Sequence, residues 1–198
     1  MMRNSSIIAL ALSVTGASVV GAQAPMQVAP SGRGMSEVTL TLVDSVARAA
    51  AKPASIKIDY GQPHLRNRKL LTDSLVPYDR LWRLGANNAT TLTTDVDLVL
   101  GGKSLPKGTY ELQAIPSRAG WKLIVQKEGT RAALPPDSEA PRNPANDVAQ
   151  VDLRQTAASA PLESLTMWLI PARGPGKPRG QLVIAWGTVS LVTDWAMK

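Results

Sequence analysis

The chain alternates apolar and polar residues over many short segments, which is the pattern of β-strands. In "SIKIDY", Ile56, Ile58 and Tyr60 fall on one face of a strand. Similar runs follow at "TTLTTDVDLVL", "TYELQAI", "WKLIVQKE", "VAQVDLRQ", "LTMWLIPA" and the two halves of "QLVIAWGTVSLVTDW". With "EVTLTLV" at the start, they predict an all-β fold, an antiparallel β-sandwich or a jelly-roll-like barrel of about eight or nine strands.

Two features interrupt this pattern. "DSVARAAAKPA" fits a short turn of helix, and Gly101-Gly102 fits a hairpin turn. Residues 61–89 carry no strand signal, apart from a helical turn expected after Pro77. A connection of that length in a small domain is usually a functional or self-packed loop.

The first residues resemble a secretory signal peptide. Arg3 precedes an apolar run that is too short for a membrane anchor, and small residues follow it. We therefore expect a signal peptide at 1–22, a flexible linker at 23–36 and a single β domain at 37–198. The mature protein is expected to be periplasmic or secreted, with no transmembrane anchor after cleavage.

Composition narrows the chemistry. The 198 residues include one His and no Cys, which excludes three-His zinc sites and thiolate sites. No phosphate-binding loop and no serine nucleophile elbow are present. We therefore expect no cofactor and no metal, and the sequence has no recognised catalytic motif.

The net charge is +7, which attracts anionic partners. The densest basic run, Arg66-Asn67-Arg68-Lys69, holds only three charges and has no interleaved aromatic residues. A nucleic-acid partner is therefore not expected.

Asp95 and Asp97 lie on one face of a predicted strand. Such a pair can hold Ca²⁺ or perform acid–base catalysis. The alternative, favoured by the neighbouring threonines, is the solvated face of an amphipathic strand.

Polar residues gather instead on the long loop and at its two ends. Arg forms forked contacts with carboxylate or phosphate, His transfers protons near neutral pH, and Trp offers a stacking surface. The same residues could equally hold the loop in place, through turn contacts of Asn and packing of Trp. The candidate ligand-binding residues are Tyr60, His64, Arg68, Trp82, Arg83, Asn87 and Thr90.

These segments resemble a bacterial exported family catalogued as domain of unknown function 2911. The resemblance rests on "IDYGQPHLRNRKL", "VPYDRLWRLGANNATTL" and "LPKGTY". The matching positions are Tyr60, Pro63, Arg68, Val76, Pro77, Trp82, Arg83, Gly85, Ala86, Asn87, Ala89, Thr90, Leu105, Pro106, Gly108 and Tyr110. The chain departs from the pattern at Gln62, Asn67 and Asn88, where many members have Arg, Gly and Glu. The resemblance implies an exported β domain and no particular activity.

Three functional hypotheses follow. The first is an exported β domain that binds a small polar or anionic ligand, a glycan or an envelope component, at the Tyr60–Arg68 and Trp82–Thr90 loops. The second is a hydrolase with His64 as general base and Arg83 or Asn87 stabilising negative charge. The third is a structural or interaction module in which the polar cluster is a stabilising latch.

Overall fold

The structure is a computed structural model that describes residues 24–128 and 144–198. The predicted signal peptide at 1–22 lies outside the described residues, as does most of the Pro-rich segment that follows "WKLIVQKE". Within the described residues, no helix is both long enough and apolar enough to cross a membrane.

Nine strands and one short α-helix form the regular structure of the described residues, together with a turn of 3-10 helix at Pro144–Asn146. In chain order these are β1 (Ser31–Leu40), α1 (Ser45–Ala50), β2 (Ala54–Pro63), β3 (Thr90–Thr94), β4 (Leu98–Leu100), β5 (Lys103–Leu105), β6 (Gly108–Ser117), β7 (Gly120–Lys127), β8 (Asp147–Pro171) and β9 (Arg179–Met197).

The strands form one antiparallel sheet in the order β1-β2-β3-β6-β7-β8-β9-β4-β5. This confirms the predicted all-β fold. Strand β8 pairs with β7 through its first residues and with β9 through the remainder. It therefore connects two halves of the sheet. The first half contains β1, β2, β3, β6, β7 and the start of β8, and the second contains the rest of β8 with β9, β4 and β5.

The two halves of the sheet meet through hydrogen bonds as well as apolar packing. The Met167 amide donates to Tyr60 Oη at 3.1 Å, and the Leu169 amide donates to Ser36 Oγ at 2.8 Å. Ile56, Ile58 and Tyr60, predicted to share a face, are all buried in the core between the halves. The alternation in β2 therefore identified the core face correctly.

Strand β1 corrects the predicted start of the domain. It begins at Ser31, where the sequence pattern placed a linker up to residue 36, and it pairs with β2 from Ser31 opposite Pro63 onward. As an edge strand it is mostly exposed and shows no clear alternation. A side chain at Gly34 would lie 2.5 Å from Tyr60 Cζ, so glycine here leaves room for the Tyr60 ring.

Two strand boundaries also differ from prediction. The run "TTLTTDVDLVL" is two strands rather than one, because Thr94 Oγ1 donates to the Val96 carbonyl at 2.7 Å and closes a turn. The predicted strands "VAQVDLRQ" and "LTMWLIPA" are both parts of β8, and β9 likewise spans both halves of its run. The helix predicted near Asp44 is α1, and the Asp44 side chain caps its first turn. The helical turn predicted after Pro77 is not formed, because residues 77–83 contain turns without a helix.

Candidate functional site

The long loop rejoins the sheet in two steps along one edge of β6. The Trp82 amide donates to the Ala114 carbonyl at 2.7 Å, and the Ala114 amide donates back to the Trp82 carbonyl at 2.8 Å. Strand β3 then pairs along the same edge, beginning with Thr90 opposite Leu112. Residues 83–89 therefore leave the edge and return to it, and we call them the 83–89 excursion.

Backbone contacts hold this excursion against the end of β2. Thr90 Oγ1 donates to the Leu84 carbonyl at 2.7 Å, and both residues are fully buried. The Ala86 amide donates to the Gly61 carbonyl at 3.3 Å. Gly61 has to be glycine, because a Cβ there would lie 2.6 Å from the Ala86 carbonyl carbon and closer still to its oxygen.

Asn87 forms the turn of the excursion. Its φ is 58°, in the left-handed region that Asn tolerates better than most residues. Its side-chain amide donates to Ser31 Oγ at 2.9 Å, at the first residue of β1. The contact is exposed, and it connects the excursion to the edge strand.

Trp82 is part of an aromatic cluster below the loop and is only 8% exposed. It stacks on Trp186, with ring centroids 5.9 Å apart and an interplanar angle of 16°. It also meets Trp121 edge to face at 6.3 Å. Trp82 is therefore packed mainly within this cluster, with little of its surface open.

The first part of the loop packs on β8 near Glu163. The Leu65 amide donates to the Glu163 carbonyl at 2.8 Å, and the Arg66 amide donates to the Glu163 carboxylate at 2.6 Å. Ser164 follows Glu163 on β8, and its Oγ lies 2.7 Å from His64 Nδ1. His64 is therefore held by β8.

Arg68 has its guanidinium fixed by the loop itself. Its Nε donates to the Leu65 carbonyl at 2.9 Å, and its Nη2 donates to the His64 carbonyl at 2.8 Å. The chain turns back for this contact through Arg66 and Asn67, whose φ values are 52° and 62°. The loop thus holds the guanidinium plane in one orientation.

A cavity of about 390 Å³ lies between the first part of the loop and the 83–89 excursion. Three arginines and one aspartate are among the residues that line it, and their formal charges sum to +2. The residues that line it are Pro30, Ser31, Pro63, Arg66, Arg68, Asp73, Ser74, Leu75, Pro77, Leu81, Trp82, Arg83, Gly85, Ala86, Gln113 and Trp186.

Gln113, which lines the same cavity, was not among the predicted residues. It belongs to β6, is 4% exposed, and its Oε1 has no hydrogen-bond partner among the described residues. Its alternation with apolar neighbours was the only sequence signal, and that pattern indicates an ordinary solvated strand face. In the structure, Gln113 is buried and lines the cavity together with residues of the loop.

The comparisons with known proteins identify a family. The sequence pattern of the family described as "Protein of unknown function (DUF2911)" matches residues 44–194. The chain belongs to this family. A UPF0284 protein of Methanopyrus kandleri is 34% identical over 104 residues, which cover 52% of this chain but only 27% of that protein. No solved structure matches the chain.

The predicted site residues divide by their place relative to the cavity. Arg68, Trp82 and Arg83 line the cavity. The other predicted site residues lie outside its lining; these are Tyr60, His64, Asn87 and Thr90.

At Asn67, where many DUF2911 members have Gly, the left-handed φ explains the exchange, since Gly and Asn are the residues that adopt it most readily. At another departure, the Gln62 side chain donates to the Leu165 carbonyl at 3.0 Å and so contacts β8.

Asp95 and Asp97 accept hydrogen bonds from other parts of the sheet and its turns. Asp95 accepts hydrogen bonds from the Ser55 amide at 2.8 Å and from the Ser55 hydroxyl at 3.1 Å. Asp97 accepts one from the Lys107 amide at 2.8 Å. Among the described residues, no group of three or more His, Cys, Asp or Glu side chains is arranged to hold a metal ion.

Proposed function

We propose that this chain is an exported protein that binds a small anionic ligand in the cavity between the first part of the loop and the 83–89 excursion. The observation that carries the proposal is the convergence of Arg66, Arg68 and Arg83 on one cavity with a single carboxylate, Asp73. Arg is well suited to bind carboxylate and phosphate because its planar fork matches their oxygens.

The orientation of Arg68 supports this proposal over that of a merely solvated surface. Two backbone carbonyls already fix its guanidinium, so a ligand would not have to order a freely rotating side chain. Ordering a long side chain on binding costs about 0.5–1.5 kcal/mol, and preorganisation removes that loss.

The size of the cavity supports a small ligand. Its volume of about 390 Å³ falls within the range of roughly 300–1,000 Å³ that is typical of small-molecule sites. The N-terminal residues 1–22 support export, and the expected compartment is the periplasm or the exterior. A glycan acid or an anionic component of the cell envelope would be available there.

The test is calorimetric titration with sulfate, phosphate and D-glucuronate. We expect the double variant Arg66→Ala/Arg68→Ala to bind the best of these at least tenfold more weakly, because each charged hydrogen bond contributes about 1.5–3 kcal/mol. Arg173→Ala is the control, since it removes an exposed charge from the β8–β9 connection, outside the cavity lining. Equal affinity in wild type and double variant would refute the proposal.

A second candidate function rests on one separate contact. His64 Nδ1 and Ser164 Oγ are 2.7 Å apart, the spacing of a base and the nucleophile it activates. A hydrolase of this kind would form a covalent adduct with a fluorophosphonate probe at Ser164. Labelling that is lost in both Ser164→Ala and His64→Ala would support it, and an unlabelled wild type would exclude it.

A further inference from the structure

The buried side chain of Gln113 specifies what the ligand has to carry. We infer that the ligand is a hydroxylated anion, with a hydrogen-bond donor beside its charged group, and that Gln113 recognises this donor. The inference rests on the proposed function and adds the chemical class of the ligand. Sugar acids are the simplest molecules of that class.

The first step is the unpaired side-chain oxygen of Gln113. Its Oε1 is buried and has no partner among the described residues, in a side chain that is 4% exposed. A buried acceptor without a partner destabilises the folded protein, because it has lost its hydrogen bond to water and gained none in return. Gln113 lines the cavity, so a ligand hydroxyl or amide N–H that reaches this oxygen would satisfy it, and the side chain therefore favours ligands that bring one.

The second step is the mixture of groups around the cavity. The guanidinium groups of Arg66 and Arg68 only donate hydrogen bonds, whereas the Asp73 carboxylate, when ionised, only accepts them. A bare anion would satisfy the arginines, but it would be repelled by Asp73 and would leave Gln113 unpaired. A hydroxylated anion has partners for both sets of groups.

The discriminating measurement compares two acids of similar ring size. D-glucuronate carries a carboxylate and hydroxyl groups, cyclohexanecarboxylate carries the carboxylate alone, and D-glucose carries hydroxyls without the charge. By calorimetric titration, we expect wild type to bind glucuronate at least tenfold more tightly than cyclohexanecarboxylate. Binding of glucose should be weaker than that of glucuronate by a similar factor.

The variant Gln113→Leu then assigns this preference to one side chain. It should bind glucuronate and cyclohexanecarboxylate with nearly equal affinity, and its melting temperature should be unchanged or higher because an unpaired buried polar group is removed. Gln155→Leu, at an exposed glutamine on β8, is the matched control and should keep the preference.

The outcomes separate the two proposals. If cyclohexanecarboxylate binds as tightly as glucuronate, and this binding needs Arg66 and Arg68, the anion site stands and the donor inference is wrong. A preference that survives Gln113→Leu would also overturn the inference. If neither acid nor a simple anion binds wild type, both proposals fail. The comparison of ligands on wild type requires no variant, so it decides the chemical class of the ligand even if Gln113→Leu does not fold.

Discussion

The contact between Gly61 and Ala86 should be essential to the fold, and Gly61→Ala tests it. The added Cβ would lie 2.6 Å from the Ala86 carbonyl carbon and 2.9 Å from its amide nitrogen. Both atoms belong to the backbone, so no change of rotamer relieves the overlap. The φ of Gly61 is not positive, so the effect of the substitution is steric and not conformational.

The expected loss of stability in Gly61→Ala can be estimated from the segment that has to move. Relieving the overlap requires the 83–89 excursion to shift away from β2, which weakens the hydrogen bond from the Ala86 amide to the Gly61 carbonyl. Overpacking of this kind destabilises by about 1–3 kcal/mol, and the weakened hydrogen bond adds about 1 kcal/mol. For a domain of this size, 1 kcal/mol corresponds to roughly 2–4 °C, so the melting temperature should fall by about 5–15 °C.

Gly32→Ala is the matched control for this experiment. Gly32 pairs with Gln62 across the β1–β2 ladder, its φ is not positive, and a Cβ there would meet no atom within 4 Å. Alanine at such a position should leave stability unchanged or raise it slightly through the entropy of the unfolded chain. Urea and thermal unfolding of the two variants provide the comparison. Equal stability would show that the excursion is not seated on Gly61.

Two further predictions concern hydrogen bonds elsewhere. Tyr60→Phe keeps the buried ring but leaves the Met167 amide without its acceptor. The free energy of unfolding measured in urea should therefore fall by about 1–3 kcal/mol. An unchanged value would contradict a hydrogen bond between the sheet halves. The hydrogen bond from Arg154 lowers the pKa of Asp194 below its ordinary value of 3.8. The stability that the pair contributes is therefore complete above pH 3.8, and it is lost as the pH falls through the lowered pKa. NMR titration should show the Asp194 pKa rising towards 3.8 in Arg154→Ala, and no rise would rule out this cause.

Much of the sheet could be predicted because its signals are local. A strand with one face in the core alternates regardless of its neighbours, which is why Ile56, Ile58 and Tyr60 were assigned correctly. The Gly101-Gly102 hairpin also follows from local conformation, since both residues have positive φ. The start of β1 was not predicted, because the residues of this exposed edge strand do not alternate between apolar and polar.

The cavity could be predicted only in part, because its walls depend on long-range pairing. Arg68 and Arg83 were singled out as a polar cluster on one loop, and both line it. Gln113 is 30 positions beyond Arg83 in the sequence. It joins the site only because Trp82 pairs with Ala114 on the next position of β6. No pattern within the loop or within β6 reveals that pairing.

The structure also changes what the motif "WRLGANNAT" means, because its residues have two roles, anchoring the excursion and lining the cavity, and Trp82 has both. Trp82 and Thr90 anchor the two ends of the excursion, through packing on Trp186 and the bond to the Leu84 carbonyl. Arg83 lies between these anchors and lines the cavity. If the cavity binds an anion as proposed, loss of an anchor should weaken that binding as well as stability, whereas substitutions confined to Arg66 should affect binding alone.

A ligand bound in the cavity would also stabilise the folded protein, because the cavity is lined by both stretches of the loop. The cavity lies between two stretches of chain, and a ligand bound to the folded form alone would hold them together. At a hundredfold excess over its dissociation constant, such a ligand adds about 2.7 kcal/mol to the free energy of unfolding. That is comparable to the loss expected from Gly61→Ala, so a ligand that still binds the variant should restore much of its stability. A latch without a ligand site offers no such rescue, and the two roles of the loop can thus be separated in a single unfolding experiment.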